Sequence, residues 1–574
     1  MSQTSGSGGE FLVRDIDCRD VFTPEDFTDE HRQIAETTEQ FVANEILPAN
    51  GEIEAKNFTL LVQKLKECAE LGLMMIDVPE EYGGLELDKA TSMLVMERMA
   101  FARNFGLSYM VQTGIGMLPL VYYGSAGQKE RYLGKLTRAE MIGAYCLTEP
   151  GAGSDALGAK TTATLSADGS HYILEGTKQF SSNAGFADLL TIFAKVDKLH
   201  FTAFLVERGF AGLEFGPEEK KMGMHGSSTR QVILDKVRVP VENVLGEVGK
   251  GHKIAFNVLN IGRFKLGAFC VGQGKYALSE GARYANERRQ FNVPISSFGA
   301  IREKLADVTA MTFASESVVY RLAGLIDDRL ATLARGGDNS YLEYLKGIEE
   351  YAAECALAKV FCSEAAAKSI DEMLQVHGGY GYIAEYPIEQ LYRDERVQRI
   401  YEGTNEINRL LIPNLLIRKG LVGKALAPAD AAAAGGEFAA EKGLVRAMKE
   451  TCLALTGQIV ARFGTGVAAE QEILLALADA VIHTFALESC LLRAEKARAA
   501  ATAKKQELYR AVVTLCSFSA RRHFIGAAEK CASFLGDDAS LAALAGVSSY
   551  RAIGLLAAKR LVAEATTQAE RYVF

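Results

Sequence analysis

Over residues 28–143 the apolar positions recur at intervals of three and four, as in Phe41-Val42…Ile46-Leu47, Leu60-Leu61…Leu65 and Met93-Leu94…Met96…Met99. That spacing turns one face of a helix toward a core. Pro79-Glu80-Glu81-Tyr82-Gly83-Gly84 interrupts it and predicts a turn between two helices. Near Ala144 the pattern changes. Tyr172-Ile173-Leu174-Glu175-Gly176-Thr177, Leu189-Leu190-Thr191-Ile192-Phe193-Ala194, Thr202-Ala203-Phe204-Leu205-Val206 and Gln231 to Val239 are short β-branched or aromatic runs. Each is bounded by turn residues such as Ala167-Asp168-Gly169, so they predict a small β-domain ending near Gly246.

Helical spacing returns at His252 and holds to about Lys419, as in Ile254…Val258-Leu259 and Val318-Val319…Leu322. Leu426-Ala427-Pro428-Ala429-Asp430, an alanine run at 431–434 and Gly435-Gly436 predict a linker by composition. Residues 437–574 are Ala-rich and helical again, as in Leu474-Leu475…Leu477…Val481-Ile482. The expected class is α+β, mostly α. Its parts are an N-terminal tail (1–27), a helical domain (28–143), a β-domain (144–246), a helical bundle (247–420), a linker (421–436) and a C-terminal helical extension (437–574), with no internal repeat.

Composition narrows the function classes. The chain has 574 residues, 48% hydrophobic and 24% charged, with a formal charge of -9. It is long enough for several domains and large cores. No Lys/Arg run supplies the basic surface that nucleic acid requires. Ten scattered cysteines without a C-x-x-C pair fit a reducing compartment, and eight histidines without H-E-x-x-H predict no metal site. Met1 to Glu10 is Ser/Gly-rich, without the apolar or Arg-rich pattern of a targeting signal, and reads as a short disordered tail. A cytoplasmic location is the corresponding expectation. No run of roughly 20 apolar residues is visible that would span a bilayer.

Two stretches carry candidate chemistry. In Tyr145-Cys146-Leu147-Thr148-Glu149-Pro150-Gly151-Ala152-Gly153-Ser154-Asp155, a strand leaves into a glycine turn. There, backbone N–H groups close on an anionic or polar ligand and Thr148 and Ser154 add hydroxyls; a plain β-turn is the alternative. In Arg399-Ile400-Tyr401-Glu402-Gly403-Thr404-Asn405-Glu406, Glu402 is a candidate base, against the alternative of a solvated surface carboxylate.

Four strings stand in the order found in acyl-CoA dehydrogenases: T-E-P-G-A-G-S-D at 148–155, E-R-R-Q-F at 287–291, Gln375-Val376-His377-Gly378-Gly379, and Y-E-G-T at 401–404. The chain resembles that family from roughly residue 30 to 420. The C-terminal extension and Asn257 to Phe264 make it most similar to the very-long-chain branch. The resemblance implies an N-terminal helical domain, a middle β-barrel domain, a C-terminal helical bundle and an extra helical domain, with FAD as cofactor. Tyr145, Leu147, Thr148, Gly153 and Ser154 then fall at the flavin, with Ser154 also at the substrate. Phe180, Ser181 and Ser182 fall along the isoalloxazine; Phe180 stands where the family usually has Trp, and this chain has none. Arg288, Phe291, Gln375, Gly378 and Gly379 match positions that grip the FAD diphosphate and adenosine across a subunit interface. Thr404, Asn405 and Glu406 match further flavin contacts.

For the substrate, Asn260, Arg263, Tyr401 and Gly403 match acyl-CoA contacts. Gly262 stands where some branches carry the base, so the duty falls to Glu402. The implied reaction removes an α-proton by Glu402 while hydride leaves the β-carbon for the flavin, giving a trans-2-enoyl-CoA. The thioester oxygen would be held by the Glu402 N–H and a ribityl hydroxyl. Gly116, where medium-chain relatives carry Glu nearby, implies a deeper acyl tunnel and long-chain substrates, or else close helix packing. The implied partners are an electron-transferring flavoprotein and a second copy of the chain, with peripheral membrane contact through the extension. A flavin oxidase or monooxygenase, and a non-catalytic assembly role, are the alternatives on the same fold.

Overall fold

A computed structural model of the chain describes residues 6–333, 340–428, 436–536 and 542–574. They divide into two compact units, each discontinuous in sequence. One holds Thr28–Lys265 and Leu330–Glu349; the other holds Met1–Phe27, Leu266–Arg329 and Glu350–Phe574.

The first unit begins with helices α1 (Asp29–Phe41), α2 (Leu47–Glu54), α3 (Phe58–Glu70), α4 (Lys89–Met99), α5 (Asn104–Val111), α6 (Leu118–Tyr123) and α7 (Ala126–Thr137). Their starts follow from local chemistry. Thr28 and His31 form a reciprocal capping box at α1, and the Asp88 carboxylate accepts the Thr91 N–H at 2.7 Å to start α4, each satisfying an N–H that the first turn leaves without a helical partner. Eight strands follow: β1 (Gly143–Cys146), β2 (Thr162–Leu165), β3 (His171–Ser182), β4 (Leu189–Val196), β5 (His200–Glu207), β6 (Leu213–Phe215), β7 (Thr229–Pro240) and β8 (Val244–Leu245).

The strands pair in the order β6-β7-β3-β2-β4-β5-β8, with β1 parallel to β4. The expected middle β-domain is thus one mixed eight-stranded sheet. Leu174, Ile192, Phe204, Val232 and Val237 fill its core. The long β3–β7 pair slips register between Lys178 and Ser181, a bulge that turns the side chains at the end of β3 away from the regular alternation.

The second unit is helical. It takes the later part of α8 (Gly251–Glu287), most of α9 (Gly299–Ala331), then α11 (Ala352–His377), α12 (Pro387–Glu395), α13 (Asn405–Arg418), α14 (Ala439–Phe463), α15 (Gln471–Arg498) and α16 (Ala503–Leu535); α10 (Ser340–Glu349) belongs to the first unit. Helices Ala545–Ser549 and Leu555–Ala569 end the chain. Of the linker expected over 421–436, residues 429–435 lie outside the described residues.

Two expectations are corrected. The stretch from Gly6 to Glu10 is not a free tail: Gly9 N–H donates to Glu354 at 2.6 Å, and Phe11 and Leu12 are buried, with the Phe11 ring edge-on to Phe485 at 4.8 Å. Two large apolar side chains following the glycines supply the burial that orders them. Also, helices Gly251–Glu287, Ala439–Ala469 and Gln471–Arg498 are long and apolar enough to cross a membrane. Isolated charges among small apolar residues obscured this in the raw pattern. In the first and third, 83% of the apolar window is buried inside the protein, against 33% in the second.

Candidate active site

Within the first unit, β1 delivers Tyr145, Leu147 and Thr148 to the glycine turn. The buried Tyr145 ring stands edge-on to Phe193 at 5.1 Å. The turn closes on itself, Glu149 and Ala152 exchanging both backbone hydrogen bonds at 3.0 and 3.1 Å. Thr148 is half-buried, whereas Gly153 and Ser154 face outward. A Cβ added at Gly151 or Gly153 would meet nothing, so these glycines leave an open approach to the backbone.

Glu149, which the motif reading passed over, anchors the turn. Its carboxylate accepts the Lys160 N–H at 2.6 Å, the Thr161 N–H at 3.1 Å and the Lys178 ammonium at 2.6 Å. Burial alone would raise this carboxyl, but the Lys178 ammonium and the two N–H groups outweigh it and hold it below the ordinary range. Lys178 also donates to the Leu147 carbonyl at 3.3 Å, and Gln179 N–H to the Thr148 carbonyl at 2.8 Å. The bulge then presents Phe180 at φ 56°, 59% exposed, while Ser181 is buried and Ser182 half-buried.

Asn260 and Arg263 meet on α8, the guanidinium donating to the Asn260 amide oxygen at 2.9 Å, both side chains buried. Gly116 corrects the tunnel expectation. Its Cβ would lie 2.9 Å from the Val111 carbonyl oxygen and 3.1 Å from the Gly143 backbone, so the missing side chain serves close packing onto β1. Gly114, off-helix at φ −110° and ψ −109°, has only the Lys265 stem within 4 Å, at 3.9 Å.

Within the second unit, the loop between the 3-10 turn Arg396–Arg399 and α13 carries Glu402, half-buried. Glu402 has φ 56° and Gly403 φ 79°, a left-handed pair that side chains other than glycine rarely adopt and that persists only when the surroundings hold it. Two side chains hold this pair. Asn408 Nδ2 donates to the carbonyls of Glu402, Gly403 and Thr404 at 3.3, 2.8 and 3.0 Å, and Lys359 Nζ donates to the Gly403 carbonyl at 2.9 Å. Thr404 caps α13, its hydroxyl accepting the Ile407 N–H at 3.3 Å. Beside Glu402, burial and then the neighbouring Cys270 and the Glu402 carboxylate push the Tyr401 hydroxyl well above its ordinary value. Asn405, expected at the cofactor, is instead buried, its amide spent on Lys359, Ser363 and Glu364; Glu406 is exposed.

The same unit brings Arg288, Gly378 and Gly379 together around a cavity of about 520 Å³, with Gln290, Ile295 and Tyr380 also lining it. The Arg288 guanidinium lies 5.5 Å from the Tyr380 ring centre, and a Cβ on Gly378 or Gly379 would meet nothing. Gln375 is exposed on the last turn of α11, and Phe291, at the tip of a short hairpin with φ 50°, is 87% exposed.

Comparison with known proteins agrees along most of the chain. Family profiles described as acyl-CoA dehydrogenase N-terminal, middle and C-terminal domains match residues 28–140, 144–237 and 249–416, and a further acyl-CoA dehydrogenase C-terminal domain matches 447–537. A probable acyl-CoA dehydrogenase of Bacillus subtilis is 47% identical over 513 residues, covering 87% of this chain and 86% of that one. The very long-chain specific acyl-CoA dehydrogenase, mitochondrial, of Homo sapiens is 39% identical over 353 residues, 60% of this chain and 51% of its own length. A crystal structure of an acyl-CoA dehydrogenase complexed with FAD from Bacillus anthracis superposes with a TM-score of 0.95 at 44% identity, covering 99% of this chain and 100% of that one. With these matches added to the two motif loops and the sheet between helical regions, the chain belongs to the acyl-CoA dehydrogenase family.

Proposed function

We propose that this protein uses FAD to dehydrogenate the α,β bond of long-chain acyl-CoA thioesters, with Glu402 as the α-proton base, and hands the electrons to an electron-transferring flavoprotein. The residues present suit the cofactor. Arg288 beside the unobstructed Gly378-Gly379 backbone, in a cavity of about 520 Å³, offers a guanidinium and a close-approach backbone, the donor set for a diphosphate. The open turn at Gly151 and Gly153 and the outward Phe180 offer polar and apolar contacts for a flavin ring. FAD supplies the two-electron acceptor.

The chain's own contribution is placement of a base. An α-proton on a thioester is far less acidic than a carboxyl group, so a carboxylate abstracts it usefully only when it is held at the carbon and shielded from water. The observation that carries the reading is Glu402 held at φ 56° by Asn408 and Lys359, strain kept where a carboxylate must be aimed. Long-chain preference is supported by the similarity to the very-long-chain relative.

The test is anaerobic mixing of the purified yellow protein with acyl-CoAs of graded length. The wild type should lose its flavin absorption fastest with long chains, and Glu402→Gln should keep FAD yet bleach at least about 100-fold more slowly. Unchanged bleaching by Glu402→Gln sinks the base, and an optimum at four or six carbons sinks the chain length. We place the protein as a cytoplasmic homodimer with peripheral membrane contact; a tetramer on gel filtration would contradict the dimer.

A further inference from the structure

The C-terminal extension carries no motif of its own, yet a continuous series of charged and amide groups leads from it to the loop bearing Glu402. Asp479, on α15 of the extension, accepts Arg409 Nε at 2.7 Å. Arg409, on α13, donates its two terminal nitrogens to Glu364 on α11 at 2.6 and 2.8 Å. The guanidinium is thereby fixed along both edges, which a planar fork permits and a lysine would not. Glu364 Oε1 also accepts Asn405 Nδ2 at 3.0 Å. On its other side Asn405 Oδ1 accepts Lys359 Nζ at 2.6 Å, and the same ammonium donates to the Gly403 carbonyl at 2.9 Å.

The orientation of the Asn405 amide is the hinge of this series. A carboxylate on its NH2 side and an ammonium on its oxygen side define one orientation; reversing the amide would set like partners against each other on both sides. Lys359 is held in turn, and Lys359 holds the carbonyl adjoining the strained Glu402. A second contact steadies α15 on the same helix that carries Glu364 and Lys359, the His483 ring standing edge-on to Phe361 at 6.1 Å.

We propose that the C-terminal extension positions the base, with Asp479, Arg409 and Glu364 as positioning residues that act on Glu402 through Asn405 and Lys359. This rests on Glu402 being the base. Every group in the series is 42% exposed or less, and none needs to touch substrate or flavin.

The test uses the FAD-loaded full chain, Asp479→Asn and Asp479→Glu, mixed anaerobically with palmitoyl-CoA. Asp479→Asn should keep its FAD and a half-saturating substrate concentration within about twofold of wild type, while the limiting rate of flavin bleaching falls about tenfold, the scale expected for sub-ångström misplacement of a reacting group. Asp479→Glu should recover most of that loss. Should Asp479→Asn fold poorly, Glu364→Gln carries the same expectation from the other end of the guanidinium. Limiting rates within twofold of wild type in the folded variants, or losses that only follow loss of FAD, overturn the proposal. Glu402→Gln run alongside separates the two failures: if it is inert while Asp479→Asn is normal, the series fails and the base stands, and if it bleaches normally, the base assignment itself has failed.

Discussion

Glu149 and Lys178 form a buried ion pair at 2.6 Å, with side chains 6% and 0% exposed, directly beneath the glycine turn. Removing one member strands the other. Lys178→Met leaves the Glu149 carboxylate buried with only its two backbone donors, which should cost about 3–5 kcal/mol. Because Lys178 also holds the Leu147 carbonyl, the surviving folded protein should retain FAD more weakly. Urea denaturation followed by tyrosine fluorescence and flavin release on dilution would measure the two effects.

Phe180 predicts an opposed pair of effects. Its φ of 56° and 59% exposure mean that the backbone bears strain on behalf of a side chain that buries little. Phe180→Gly should stabilise the FAD-free protein by up to about 1 kcal/mol through relief of the left-handed backbone. It should weaken FAD binding if the Phe180 ring packs on the flavin, as proposed above. Thermal unfolding of the apoprotein and FAD titration of the same sample should move in opposite directions; unchanged FAD affinity would remove Phe180 from the flavin site.

What could be read from the chain beforehand was what lies close together in sequence. Tyr172 to Thr177, Leu189 to Ala194, Thr202 to Val206 and Gln231 to Val239 all fall inside strands β3, β4, β5 and β7, because alternation and turn residues are local signals. The loops at 148–155 and 401–404 were legible for the same reason. Their supports were not. Glu149 finds Lys178 29 residues away, and Arg409 finds Glu364 and Asp479 at separations of 45 and 70, pairings that no periodicity announces. Gly116 shows the converse limit: the sequence records the missing side chain, but only the Gly143 backbone at 3.1 Å shows that packing requires its absence.

Asp88 predicts an acid-dependent loss of stability. Burial would raise its carboxyl, but hydrogen bonds from the His31 ring, the Thr91 hydroxyl and the Thr91 N–H bring it down to about 2. A carboxylate held below its unfolded value of about 3.9 contributes stability above that pH and loses it as the pH falls toward 2. Asp88→Ala should therefore cost about 1 kcal/mol at neutral pH as a lost helix cap. The difference from wild type should shrink between about pH 4 and pH 2. Parallel urea titrations across that range would show it, and a pH-independent difference would contradict the assignment.

Glu316 predicts how the end of the chain is held. It lies on α9, 3% exposed, and accepts from the Lys275 ammonium, from Arg493 Nη1 at 2.6 Å and from the Tyr572 hydroxyl at 2.5 Å. Phe574 adds a ring contact with Phe313 at 4.8 Å. Burial would raise Glu316, but Arg493 and Lys275 hold it ionised, so Glu316→Gln leaves two buried cations short of their carboxylate at a cost of about 3–5 kcal/mol. Arg493→Met alone should also destabilise, since it strips a partner from both Glu316 and Glu25. The double substitution should cost clearly less than the sum, because each single change already breaks the shared contact. In Glu316→Gln the Tyr572 hydroxyl loses its charged acceptor, and carboxypeptidase should remove Phe574 faster than from wild type. Additive losses, or unchanged trimming of the C-terminus, would show that the network does not hold the tail.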